Sequence, residues 1–117
     1  MAAKDTLGRR GEELAAAYLV EHGYRLIERN WRCNQGEIDL IVERNGELVF
    51  VVVKTRSSLA FGHPFEAITP VKLARLRRLA AAWCAGCDRA VGRSRLDAVA
   101  VIAHGDDVTI EHLEGVS

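Results

Sequence analysis

A chain of 117 residues, 49% hydrophobic and 27% charged, has the balance of one globular domain spanning 1–117 and is neither disordered nor fibrous. Sixteen Lys and Arg stand against sixteen Asp and Glu, so no overall charge marks the chain for a polyanion or a membrane surface. The first residues carry Lys4, Asp5, Arg9, Arg10, Glu12 and Glu13 with no apolar segment, and the longest apolar run, Leu48–Val53, is too short to span a bilayer; both point to a cytoplasmic protein without a membrane partner.

Between Leu7 and His22, the residues Leu14, Ala15, Tyr18 and Leu19 fall on one face of a helix, and Gly23 supplies its stop. Tyr24 to Glu28 reads as a short strand, followed by a polar stretch, Arg29 to Gly36, that reads as a turn or loop. Glu37 to Glu43 and Glu47 to Thr55 are strand-like, and Asn45-Gly46 between them is a strong hairpin signal. Ser57 to Phe65, with Gly62 and Pro64, reads as a connection. Thr69-Pro70 then opens a second helix, in which Leu73, Leu76, Leu79, Ala80 and Trp83 keep helical spacing up to Gly86. On another side of that helix Lys72, Arg75 and Arg78 form an i, i+3, i+6 row. Leu96 to Ala103 and Val108 to Leu113 are two further strands around the turn His104 to Asp107. The order α-β-β-β-α-β-β predicts one α/β sheet domain.

Charge is distributed unevenly. Residues 69–95 hold seven Lys and Arg against Asp88 alone, whereas residues 96–117 hold five acids and no Lys or Arg. A basic block of this kind suits a polyanion, and it equally suits a solvated helix face. Cys84 and Cys87 form a C-x-x-C, but only Cys33 and four scattered histidines remain to complete a metal site. These cysteines read as thiols near a helix end rather than as a zinc or redox centre.

The segment Glu37-Ile38-Asp39-Leu40-Ile41 puts two carboxylates on one strand face together with Ile41, and Ile38 and Leu40 on the other. Two acids on a largely apolar strand need something to satisfy them, which a bound cation does and a water-facing strand edge does as well. In the next strand Phe50, Val52 and Lys54 share a face, and the hairpin can bring Lys54 near Asp39. The outcome is an ion pair, or the carboxylate and ammonium set that phosphodiester hydrolysis requires. Glu12 sits at the margin of the first helix's apolar face, where it can lean toward Asp39 or simply favour the helix dipole.

The combination of Gly8-x-x-Gly11-Glu12, Asn30-x-Arg32, Gly36-Glu37-Ile38-Asp39-Leu40-Ile41 and Val49-Phe50-Val51-x-Val53-Lys54-x-Arg56 resembles the YraN family of small bacterial proteins. Phe61-Gly62, Lys72 and Arg95-Leu96-Asp97 extend the match over nearly the whole chain. That family is similar to the restriction-endonuclease-like, PD-(D/E)XK fold of Holliday junction resolvases. The resemblance implies a mixed central sheet flanked by helices and a metal site on Asp39, with Lys54 at the reacting phosphate and Glu12 assisting. It also implies an acid two residues before the lysine, where this chain has Val52. With that ligand missing, Glu37 or Glu12 would have to complete the set, and magnesium or manganese would bind weakly. The expected partner is DNA, including branched DNA, with phosphates held by Arg56, Lys72, Arg75 and Arg78, and a symmetric homodimer as in junction-cleaving relatives. The alternative is an assembly module that pairs through the sheet edge near Val108 to Leu113.

Overall fold

Thr69 begins the second helix as its sequence predicts: its Oγ1 accepts the Lys72 N–H at 3.2 Å, Pro70 occupies the first turn, and Gly86 caps the end. In the computed structural model, which describes residues 3–60, 62–87 and 92–116, with side chains from residue 6 onward, this helix is α2, Pro70–Ala85. Phe61, Asp88 and Arg89, picked out in the sequence, lie outside the described residues. Helix α1 covers Ala3–Glu21, and the strands are β1 (Arg25–Cys33), β2 (Gly36–Arg44), β3 (Glu47–Arg56), β4 (Ser94–His104) and β5 (Asp107–Leu113). A short 3-10 turn, Pro64–Ala67, precedes α2.

The strands form one mixed sheet in the order β1-β2-β3-β4-β5. Asn45 and Gly46, both with positive φ (53° and 77°), make the tight turn that joins β2 to β3 antiparallel. Helix α2 is the crossover that lets β4 lie parallel to β3. The sheet is thus an α/β layer flanked by two helices, as its element order predicts. One core packs Ala15, Ala16 and Leu19 of α1 on Leu40, Val42, Val49, Val51, Val53, Val99 and Val101. The other packs Leu76, Leu79 and Ala80 of α2 on Ile38, Ile41, Leu48, Phe50 and Leu96. Alternation along β3 therefore holds, with its valines at 49, 51 and 53 facing α1 and Phe50 and Val52 facing α2.

Two expectations are corrected. Arg29 to Cys33 is strand rather than loop: β1 pairs with β2 as far as Cys33 opposite Gly36, leaving only Asn34-Gln35 as the turn. Trp31 and Cys33 pack on the α2-side core and so anchor a stretch whose polar residues hid it, while a bulge between Leu26 and Glu28 shifts the register. Ile38, expected to share a face with Leu40, packs instead on the α2 side, whereas Leu40 faces α1. The ladder to β3 stops at Leu40 opposite Val51, so Ile38 lies beyond the paired part of the hairpin.

No helix among the described residues is long and apolar enough to cross a membrane.

Candidate functional site

Where β2 leaves β3, the Val53 N–H has no β2 carbonyl opposite it, and it donates to Asp39 Oδ2 at 2.8 Å. This fork places Asp39 at the bottom of a cleft of about 200 Å³ between the sheet and α2, lined also by Glu37, Val52, Lys54, Lys72 and Arg75. Glu12 reaches the same point from α1. Carboxylate oxygens of Glu12, Glu37 and Asp39 all lie within 4.8 Å of one another.

Each acid is held through one oxygen. Asn30 Nδ2 donates to Glu12 Oε1 at 2.8 Å and Arg32 Nε to Glu37 Oε2 at 2.6 Å, with Val53 holding Asp39. Burial pushes the Asp39 carboxyl up to about 7; the Val53 N–H pulls it down, Glu12 and Glu37 push it further up, and nearby Lys54 offsets only part of this. A cluster in which one acid resists ionisation beside two others is short of positive charge. Three oxygen donors of this kind fit a hard divalent cation such as magnesium or manganese.

Helix α1 approaches closely enough for this because of Gly11. A methyl group there would overlap the Thr55 side chain on β3, so only glycine lets the helix lie where Glu12 meets the cluster.

The site residues expected from sequence are thus not all in one place. Glu12, Glu37, Asp39 and Lys54 converge, and Lys72 and Arg75 line the cleft above them. Arg56 lies in an adjoining groove between α1 and β3, which shares Glu12 and Lys54. Arg78 is exposed and does not line the cleft. A step of three residues turns 300°, so Arg78 stands about 120° round the helix from Lys72. Val52 faces the cleft on the α2 side.

Asn30 and Arg32 hold two of the acids, a role not evident from sequence. For Arg32 a signal was available in the hairpin, because a two-residue turn at Asn34-Gln35 puts Arg32 directly opposite Glu37. Asp97 was also missed. It is fully buried on β4 and accepts hydrogen bonds from Arg95, from His112 Nε2 at 2.6 Å and from the Gly115 N–H at 3.1 Å. Tyr24 joins this network through its hydroxyl, which accepts from Arg95 and donates to Glu114. Burial alone would raise the Asp97 carboxyl, and the bonds from His112, Arg95 and Gly115 outweigh it and hold it below the usual range. Its partners are structural supports for the sheet edge and the C-terminal segment.

Comparison with known proteins decides the family: residues 11–101 match the model of uncharacterised protein family UPF0102. The chain belongs to the UPF0102 family. A UPF0102 protein of an Arthrobacter species is 55% identical over 117 residues, covering 99% of each chain. UPF0102 proteins of Beutenbergia cavernae and Leifsonia xyli subsp. xyli are each 53% identical over 117 residues, again covering 99% of both chains. The UPF0102 match spans Glu12, Glu37, Asp39, Lys54 and Asp97, so the whole acid cluster lies within it, while His112, Glu114 and Gly115 of the Asp97 network lie beyond it.

Proposed function

We propose that this UPF0102 protein has a restriction-endonuclease-like fold, binds the phosphodiester backbone of DNA in the cleft between the sheet and α2, and works in the cytoplasm. The observation that carries the reading is the convergence of Glu12, Glu37 and Asp39 within 4.8 Å of one another at a cleft that Lys54 also lines. Those three residues would hold one magnesium or manganese ion, which when bound supplies electrostatic stabilisation of a phosphate under attack.

The chain's own groups divide the remaining work. Lys54 orients a phosphate oxygen and offsets its developing charge. Lys72 and Arg75 hold neighbouring phosphates in the cleft, Arg56 those in the adjoining groove, and Arg78 an outer segment. Asn30 and Arg32 keep Glu12 and Glu37 aimed at the cluster. With Val52 in place of a fourth acid, the cation is weakly held, so binding outlasts cleavage. A symmetric dimer would present two such clefts to a branched DNA.

The second reading, assembly through a sheet edge, has one observation in its favour: β5 is an outer strand, and Val108 and Leu113 on it are exposed. Cleavage and binding of branched, double-stranded and single-stranded DNA, with magnesium or manganese against chelator, separate the two. The parent should bind and cut poorly, and Val52→Glu should cut faster. A parent that binds no DNA and assembles in solution would favour the edge.

A further inference from the structure

Three depressions meet at the acid cluster. Lys54 is shared by the cleft under α2 and the groove between α1 and β3, and Glu12 is shared by that groove and a third one between α1 and β1. The third groove is lined by Arg9, Glu13, Arg29 and Asn30 with Leu40 at its floor.

We propose that a bound strand continues past the acids into this third groove, where Arg9 and Arg29 hold its phosphates, so that the backbone is gripped on both sides of the candidate metal site. The inference rests on the DNA-binding reading and extends it to a surface that neither charge block nor motif singled out.

The two arginines differ from their neighbours. Arg25 pairs with Glu43, Arg32 with Glu37, Arg44 with Glu114 and Arg95 with Asp97 and Glu47, while Arg10 donates to the Gly105 carbonyl. Arg9 and Arg29 are exposed, and neither makes an ion pair or side-chain hydrogen bond among the described residues. A guanidinium without an internal partner keeps its planar set of donors for a phosphate. Glu13 is the opposing charge in the groove, and Glu12 is turned to the cluster by its bond from Asn30. With Glu12 committed to a cation, two arginines face one glutamate, which leaves the groove net positive. The resulting track runs from Arg29 and Arg9, over Glu12 and Lys54, to Arg75 and Lys72.

The test compares the full chain with two double variants, Arg9→Gln with Arg29→Gln, and Lys72→Gln with Arg75→Gln. Anisotropy of labelled single-stranded, duplex and branched DNA is followed across salt concentrations in the presence of manganese. Removing two phosphate contacts should reduce the slope of log affinity against log salt by about 1.4 on single strands and about 1.8 on duplex. Between 50 and 200 mM salt the parent should then lose about tenfold more duplex affinity than either variant. If the Lys72 and Arg75 variant shows this change and the Arg9 and Arg29 variant keeps the parent's affinity and slope, the third groove is not part of the track and the DNA-binding reading stands. If the parent binds none of the three DNAs, the DNA-binding reading itself fails and takes this inference with it. Circular dichroism and melting of the Arg9 and Arg29 variant should match the parent, since neither arginine supports another residue, whereas Lys72→Gln also removes a bond to the Ala67 carbonyl.

Discussion

The Val53 amide and the Asp39 carboxylate meet at 2.8 Å where β2 and β3 part, so one hydrogen bond both closes the end of the hairpin ladder and fixes an acid in the cleft. An amide left over by sheet divergence must find a partner, and here the partner is the residue around which the other two acids gather.

Asp39 titrates at about 7 in the folded chain, above its ordinary 3.8, because burial and then the neighbouring acids disfavour its charged form. A raised carboxyl binds its proton more tightly in the folded state, so stability falls as pH rises from about 4 to about 7 and stays lowered above that. Asp39→Asn keeps an acceptor for the Val53 amide and removes the charge. It should be more stable than the parent by about 2–4 kcal/mol at pH 8 in chelator, and the gain should vanish by pH 4. Urea denaturation at the two pH values checks this, and an equal difference at both would contradict it.

Gly11→Ala should push α1 away from Thr55 and cost about 1–3 kcal/mol, the usual range for overpacking. The displacement also moves Glu12 from the cluster, so divalent cation affinity should fall with stability. Gly8→Ala is the control, since a methyl there meets nothing within 4 Å. Thermal melts with and without manganese distinguish the two.

Asn30 sits at φ 49°, so its role is best tested by Asn30→Gly, which tolerates that backbone while deleting the amide that holds Glu12. Manganese affinity should drop roughly tenfold, as for other outer partners of metal ligands. Binding of DNA in chelator should hold, because no cation is involved.

Asp97 takes the opposite sign to Asp39. Its pKa is depressed in the folded chain, so its contribution is fully present above the ordinary aspartate value and is lost as pH falls through the lower, folded value. Asp97→Asn should cost about 3–5 kcal/mol at neutral pH, because Arg95 and His112 lose the charge they converge on. The difference from the parent should shrink below about pH 4. Guanidinium denaturation across the acid range measures it.

Local chemistry made much of this architecture readable. Thr69, Pro70 and Gly86 announce α2, Asn45-Gly46 announces the hairpin, and alternation along β3 sorts Lys54 and Val52 to the cleft face. What could not be read depends on where strands end and on contacts distant in the chain. Arg29 to Cys33 is held as strand by Trp31 and Cys33 meeting α2, and Ile38 changes sides beyond the point where β3 has departed. Asp97, inside the apolar run of β4, gives no sign of its network, since Tyr24, His112 and Glu114 come together only in the folded chain. The acid cluster lies between: Glu37 and Asp39 follow from strand parity, whereas Glu12 needs the close approach at Gly11.

A manganese titration, read by electron paramagnetic resonance, of the parent, Asp39→Asn and Val52→Glu at pH 8 tests most directly whether the acid cluster holds a cation. One ion per chain is expected in the parent with a dissociation constant of about 10⁻⁴–10⁻³ M, with tighter binding in Val52→Glu and none in Asp39→Asn. Equal uptake by the parent and Asp39→Asn would contradict this, because the cluster around Asp39 would then not be where the cation is held.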